Sequence, residues 1–384
     1  MIHRKKTVIV LSTVLIVCFA FFGLVAKFSL TAASENRKLE ISSYEENIKT
    51  KESLLAKTYD KSDALQDEKQ RTWREELVFM RAVVDGLNEN NWEKRVQNKT
   101  RCLELELNED NLITGVAEAQ NELAFNKALM EYQAAPRDFA EDGVSSVYGL
   151  FKNWLFYLIP LCAMLLASDL ISGERASGSV KLLMQRRKTR AGLYTRKFLS
   201  GLRWTSLAVL SAVLGAFAGG AVFGAGVGSL SYPVLLQSDY VQTWRIFLFC
   251  LPVVLLSVAF YTALGLFLST LFRSGALSVI ASTAGVSALV FFGRKTVAAA
   301  YGNAWQFSPF ECGDALTAVL GKFSVPVQET LTNPATGQLT TIDSSYFADI
   351  PAALPLWGCA LMLLGCSALF LVAGIWIFRR KDLV

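Results

Sequence analysis

Few side chains in this sequence are equipped for catalysis. There is one histidine, His3, in the amino-terminal tail. A lone imidazole so placed argues against a Ser-His or Cys-His nucleophile pair and against a zinc site built on histidine. No Gly-x-x-x-x-Gly-Lys-Ser/Thr occurs, so the chain has no P-loop for ATP. Of the seven cysteines, Cys18, Cys162, Cys250, Cys359 and Cys366 fall in apolar runs, where a thiol is ordinary packing material. Cys102 and Cys312 stand alone in separate loops without metal-ligand spacing, and a bridge between them is left open. No paired carboxylates or nucleophile-base set stands out. The main charge inside an apolar run is Asp169, expected to pair with a base of the loop that follows it. Lys27, at the end of the first run, is expected to snorkel.

The elements that carry these residues are hydrophobic. Apolar residues make up 52% of the 384 positions, and they concentrate in six stretches near the length of about 20 residues that crosses a bilayer. These run from Thr7 to Ala26, Trp154 to Ile171, Trp204 to Gly228, Ile246 to Phe272, Ala276 to Gly293 and Leu354 to Phe378. Pro160 and Pro252 lie inside two of them, which spanning helices tolerate because neighbours satisfy the freed backbone groups. Gly215, Gly219, Gly220, Gly224 and Gly228 form overlapping small-xxx-small patterns, predicting close helix approach within a subunit or across a dimer. The predicted fold class is all-α, a polytopic membrane protein with six transmembrane helices and a helical extracytoplasmic domain between the first two.

Charge orients the spans. Residues 34–150 carry 24 acidic and 16 basic side chains, so the rest of the chain holds +13 of the net +5. The basic residues cluster beside apolar runs: Arg4, Lys5 and Lys6 before the first, nine Lys and Arg against the single acid Glu174 in 172–203, and Arg379-Arg380-Lys381 after the last. The opposing loop from Ser229 to Thr243 has one acid and no base. Lys and Arg accumulate in cytoplasmic loops, so both termini and the 172–203 loop are predicted inside. Arg294 and Lys295 are the one dissent. This placement explains the basic balance without nucleic acid. The first run follows a basic segment as a secretory signal would, but its length favours an uncleaved anchor.

Three regions follow: 1–33, the cytoplasmic tail and first helix; 34–150, a helical extracytoplasmic domain; and 151–384, a five-helix core with cytoplasmic loop 172–203 and extracytoplasmic loop 294–353. In the second, Trp73, Leu77, Met80, Val84 and Leu87 form one helical stripe, and Ile41, Tyr44, Ile48, Leu55 and Tyr59 another. Asn88-Glu89-Asn90-Asn91 and Asn108-Glu109-Asp110-Asn111 read as turns. The stripes fit a packed stalk or a dock for a substrate or partner. In the later loop, Tyr301, Trp305, Phe307 and Phe310 suit a membrane interface, with a short helix pair near Ser308-Pro309 and then an irregular loop.

The loop between the second and third spans is the most informative segment. Val180, Leu183 and Met184 can share one face of a short helix, with Arg and Lys opposite. Glu174-Arg175, Gly178, Val180 and Leu182-Leu183, followed by Arg190 and Arg196-Lys197, resemble the cytoplasmic loop of ABC-2 type transporter permeases. The likeness extends to six spans, to Phe307-Ser308-Pro309-Phe310 before the last of them, and to the tail Arg380-Lys381-Asp382-Leu383. Where members often have a proline between the leucines and the next arginine, this chain has Gln185-Arg186-Arg187-Lys188. The resemblance implies the membrane subunit of an ABC exporter, moving an amphipathic or hydrophobic peptide, drug or lipid-like molecule outward. It implies partners: cytoplasmic ABC ATPase subunits, which hold the ATP and magnesium, and a second copy or a related permease, all in membrane lipid. No cofactor is expected in this chain. Glu174, Arg175, Gly178, Val180, Leu182 and Leu183 are the implied coupling residues. The competing reading is a membrane-anchored sensor or scaffold that binds an extracellular peptide.

Overall fold

A computed structural model describes residues 2–58, 64–108, 116–137, 140–178, 189–236, 239–292, 307–332, 339–351 and 354–380. The order begins α1 (Ile2–Thr58), α2 (Ala64–Glu89), α3 (Trp92–Asn108), α4 (Val116–Glu131) and α5 (Gly143–Gly149). A π-helical turn, Leu150–Trp154, joins α5 to α6 (Leu155–Ala167), and the short α7 (Ser172–Ala176) follows. Next come α8 (Arg190–Phe223), the strands β1 (Pro233–Leu236) and β2 (Asp239–Gln242), α9 (Thr243–Leu271) and α10 (Gly275–Phe292). A 3-10 turn (Glu311–Gly313), α11 (Ala315–Leu320), β3 (Lys322–Thr332), β4 (Leu339–Pro351) and α12 (Leu356–Arg380) complete it.

Among the described residues, six helical stretches are long and apolar enough to cross a membrane, so the chain is a multi-pass, predominantly α-helical membrane protein. Helices suit this setting because every backbone group is satisfied within the segment. Large apolar side chains face outward, as with Trp357 at 69% and Leu369 at 61% exposure, which is the surface lipid requires. α1 continues without a break well past Ala26 for 57 residues, roughly 85 Å at the helical rise, so it far exceeds a bilayer. α8 stops at Phe223, short of the expected Gly228, because Gly226 and Gly228 turn the backbone into the left-handed region at φ 93° and 81°.

The described residues form two compact units. The first takes Met1–Ala20, Val147–Ala216 and Ile246–Val384. In it, Cys162, Leu166 and Ala208 form a buried cluster against Val10, Leu11, Val14 and Trp204. Gly215 explains part of that packing, since a Cβ there would meet the Leu15 carbonyl oxygen at 2.6 Å. Of the helix pair expected near Ser308-Pro309, the described residues from Phe307 onward show a 3-10 turn and one helix, while 293–306 lie outside them. Asp314 caps α11 by accepting from the Thr317 backbone N–H at 3.3 Å, and Ser257 donates to the Gly313 carbonyl at 3.0 Å. The residues expected to follow as an irregular loop instead pair as an antiparallel hairpin, β3 with β4. Tyr301, Trp305, Arg294 and Lys295 lie outside the described residues.

The second unit takes Phe21–Ser146 and Phe217–Arg245. Leu77, Met80 and Leu87 are buried, so the α2 stripe is a core seam, with Val83 more deeply buried than Val84. Asn90 turns α2 into α3 at φ 58°, as the asparagine-rich break predicts, whereas the turn expected at 108–111 falls largely outside the described residues. Gly220 and Gly224 approach the backbone at Asp142 and Glu141, where a Cβ would lie 2.6 and 2.2 Å from the carbonyl oxygens. Gly220 and Gly224 of the pattern thus make close contacts within the chain. Tyr132 donates to the Tyr240 carbonyl at 2.8 Å, fastening the β1–β2 hairpin to the end of α4.

Candidate functional site: the segment after the second span

The chain leaves α6 through a turn at residues 168–171 before forming α7. Serines secure this turn. Ser269 on α9 accepts from the backbone N–H groups of Ile171 and Ser172 at 3.1 and 3.0 Å, and Ser172 donates its hydroxyl to the Ser168 carbonyl at 3.2 Å. α10 comes close enough that a Cβ on Gly275 would meet the Gly173 Cα at 3.0 Å. Below the turn, Ala167, Leu170 and Ile171 pack with Leu193 and Tyr194 of α8, Leu266 of α9 and Phe378 of α12. The segment therefore touches four helices of its unit.

The charged residues of α7 also face the unit. Glu174 pairs with Lys197 on α8, both about four-fifths buried. Arg175 donates from Nη1 to the Thr270 carbonyl at 3.2 Å, while its Nε and Nη2 are buried without a hydrogen bond among the described residues. Gly178 closes the described segment at φ 70°, a conformation glycine adopts without steric cost, with open space where a Cβ would be. Ala176, Ser177 and Gly178 are exposed. On the far side, Arg190 donates to the Arg379 carbonyl at 2.7 Å, and the Arg380 guanidinium lies 4.1 Å from the Trp376 ring centroid.

The structure thus brings Glu174, Arg175 and Gly178 together, whereas Val180, Leu182 and Leu183 lie outside the described residues. It also gives Asp169 a partner that the sequence did not indicate. Its carboxylate meets Lys6 of α1 at 2.6 Å, because the start of α1 packs beside α6 at this end, while residues 179–188 of the following loop lie outside the described residues. Ser269, Thr270 and Lys6 had no sequence signal as partners, since each is remote in the chain. Lys197 was visible only as half of an Arg-Lys pair. Two acids carry no signal in the sequence: Glu311 and Asp314 are 4% and 2% exposed in the segment before α11.

No cluster of side chains that could hold a metal ion occurs among the described residues. α7 and the turn before it are held against α8, α9 and α10 together. No curated protein matches the chain. The family model described as ABC-2 family transporter protein matches residues 1–383, and the chain belongs to that family.

Proposed function

We propose that this ABC-2 family membrane subunit is the permease of an exporter, driven by a separate ATPase that grips the segment from Glu174 to Leu183. The observation that carries this reading is the double tether of α7: Glu174 to Lys197 on α8, and Arg175 to the Thr270 carbonyl on α9. A free surface helix would transmit nothing. One tethered to two spanning helices passes a push from the cytoplasm into the bundle. Val180, Leu182 and Leu183 supply the apolar contact with the motor, each worth about 1.5–3 kcal/mol if fully buried. Gly178, exposed and left-handed, lets the chain turn toward it.

The lysine and arginine placement supports a cytoplasmic location for this segment and for both termini. The acidic segment that forms α2, α3 and α4 then lies outside the membrane. Two such chains, or this chain with a related permease, assemble with two ATPase subunits that hold ATP and magnesium. An amphipathic or hydrophobic molecule moves outward along the spans as the ATPases close. The test is co-purification of the ATPase: Glu174→Lys combined with Leu183→Asp abolishes it while the chain remains in the membrane. Retention of the ATPase by that double variant would remove the docking claim.

A further inference from the structure

Two of the cysteines meet. The Cys312 thiol, in the 3-10 turn before α11, donates a hydrogen bond to the sulfur of Cys359 in the first turn of α12. Both are thiols in the structure, at 2% and 6% exposure, and both belong to the first compact unit. Cys102, the partner left open by the sequence, lies in the second unit, where its thiol donates to the Glu76 carbonyl at 4.0 Å.

The turn that carries Cys312 is held firmly against α9. Ser257 donates to the Gly313 carbonyl at 3.0 Å, and the Cys250 thiol to the Ala315 carbonyl at 3.6 Å. Phe310 packs on Phe260 and Tyr261, with ring centroids 5.7 and 6.2 Å apart. Cys312 is therefore presented to α12 at a fixed place. Sulfurs already in hydrogen-bond contact need only side-chain rotation to reach the bonding distance of about 2.05 Å. Compartment then decides the oxidation state. The last turn of α12 carries Arg379 and Arg380, which mark a cytoplasmic end, so Cys359 at its start lies toward the outer face, where disulfides persist.

We propose that Cys312 and Cys359 form a disulfide in the cell, a modification that clasps the segment before α11 to the outer end of α12. One thiolate attacks the disulfide of an extracytoplasmic dithiol oxidant, giving a mixed disulfide. The other thiolate then displaces the oxidant's second sulfur. Two electrons and two protons leave with the oxidant, which departs as a dithiol. Because both sulfurs are buried in the folded chain, this exchange precedes final packing. The loop so closed holds α11, β3 and β4, and a bridge over a long loop restricts the unfolded chain more than one over a short loop. The inference rests on the orientation read from the basic flanks and not on docking of an ATPase.

The test expresses the full chain in a bacterial host with an oxidising periplasm, lyses it in denaturant with N-ethylmaleimide, and maps the peptides by mass spectrometry. Wild type yields a linked Cys312–Cys359 peptide that disappears on reduction, while Cys366 is alkylated. Cys312→Ala melts about 5 °C or more below wild type. The double variant Cys312→Ala with Cys359→Ala melts no lower, because one change already removes the bridge. Alkylation of both cysteines in wild type would overturn the proposal, as would a bridge from either of them to Cys366 or Cys102. Orientation is read separately, by an impermeant maleimide on a Ser177→Cys chain, so thiols in a correctly oriented chain count against the pairing itself.

Discussion

The Lys6 ammonium lies 2.6 Å from the Asp169 carboxylate, tying the first turns of α1 to the end of α6. Both side chains are partly buried, at 33% and 19% exposure, so each screens the other where water is scarce. Asp169→Leu should lower the melting temperature of the solubilised protein by leaving the lysine unpaired, a cost of about 1.5–3 kcal/mol for a charged hydrogen bond. The double change Lys6→Met with Asp169→Leu should recover most of the loss, since an apolar pair replaces an ion pair at little cost. A double variant no better than the single would show that the pair contributes nothing.

The tether between Glu174 and Lys197 gives a second expectation. Glu174→Gln should leave the chain folded but uncouple it, reducing cargo-stimulated ATP hydrolysis by the assembled complex. Exchanging the charges, with Glu174→Lys and Lys197→Glu together, should restore a substantial part of that stimulation. Stimulation unchanged in the single variant would place force transmission elsewhere.

Orientation is accessible through Ser177, which is exposed just beyond α7. With Cys366, the only cysteine of intermediate exposure, changed to Ser, a Ser177→Cys chain should react with a membrane-impermeant maleimide in inverted vesicles alone. Labelling from outside intact cells would reverse the topology.

Close packing at α12 predicts a steric effect. A Cβ on Gly374 would lie 1.9 Å from the Tyr194 hydroxyl oxygen, so Gly374→Ala should destabilise by about 1–3 kcal/mol, read as a lower melting temperature. Tyr194 is fully buried and its hydroxyl has no hydrogen-bond partner among the described residues, so Tyr194→Phe should be neutral or slightly stabilising.

Stability should also depend on pH through Glu106. Burial, then the neighbouring Glu76 carboxylate, raises its pKa from 4.5 to about 7. The folded state binds the proton more tightly than the unfolded chain, so this contribution is complete below about pH 4.5 and is lost as pH rises through about 7. Glu106→Gln should therefore melt higher than wild type at pH 8 and alike at pH 4.5. Glu104 runs the other way: its bond to Lys127 lowers its pKa, and that contribution is lost only as pH falls below the usual carboxylate range. Identical melting of wild type and Glu106→Gln at every pH would sink the assignment.

Apolar runs, basic flanks and the Glu174-Arg175 to Leu183 pattern sufficed to predict six spans, helical class and family, because a bilayer imposes length and hydrophobicity on consecutive residues. The α2 stripe was equally legible, as periodicity reports which face is buried. What periodicity cannot carry is pairing between distant segments. Lys6 with Asp169, Arg175 with the Thr270 carbonyl, and Gly374 beneath Tyr194 join residues far apart in the chain, and only tertiary packing selects them.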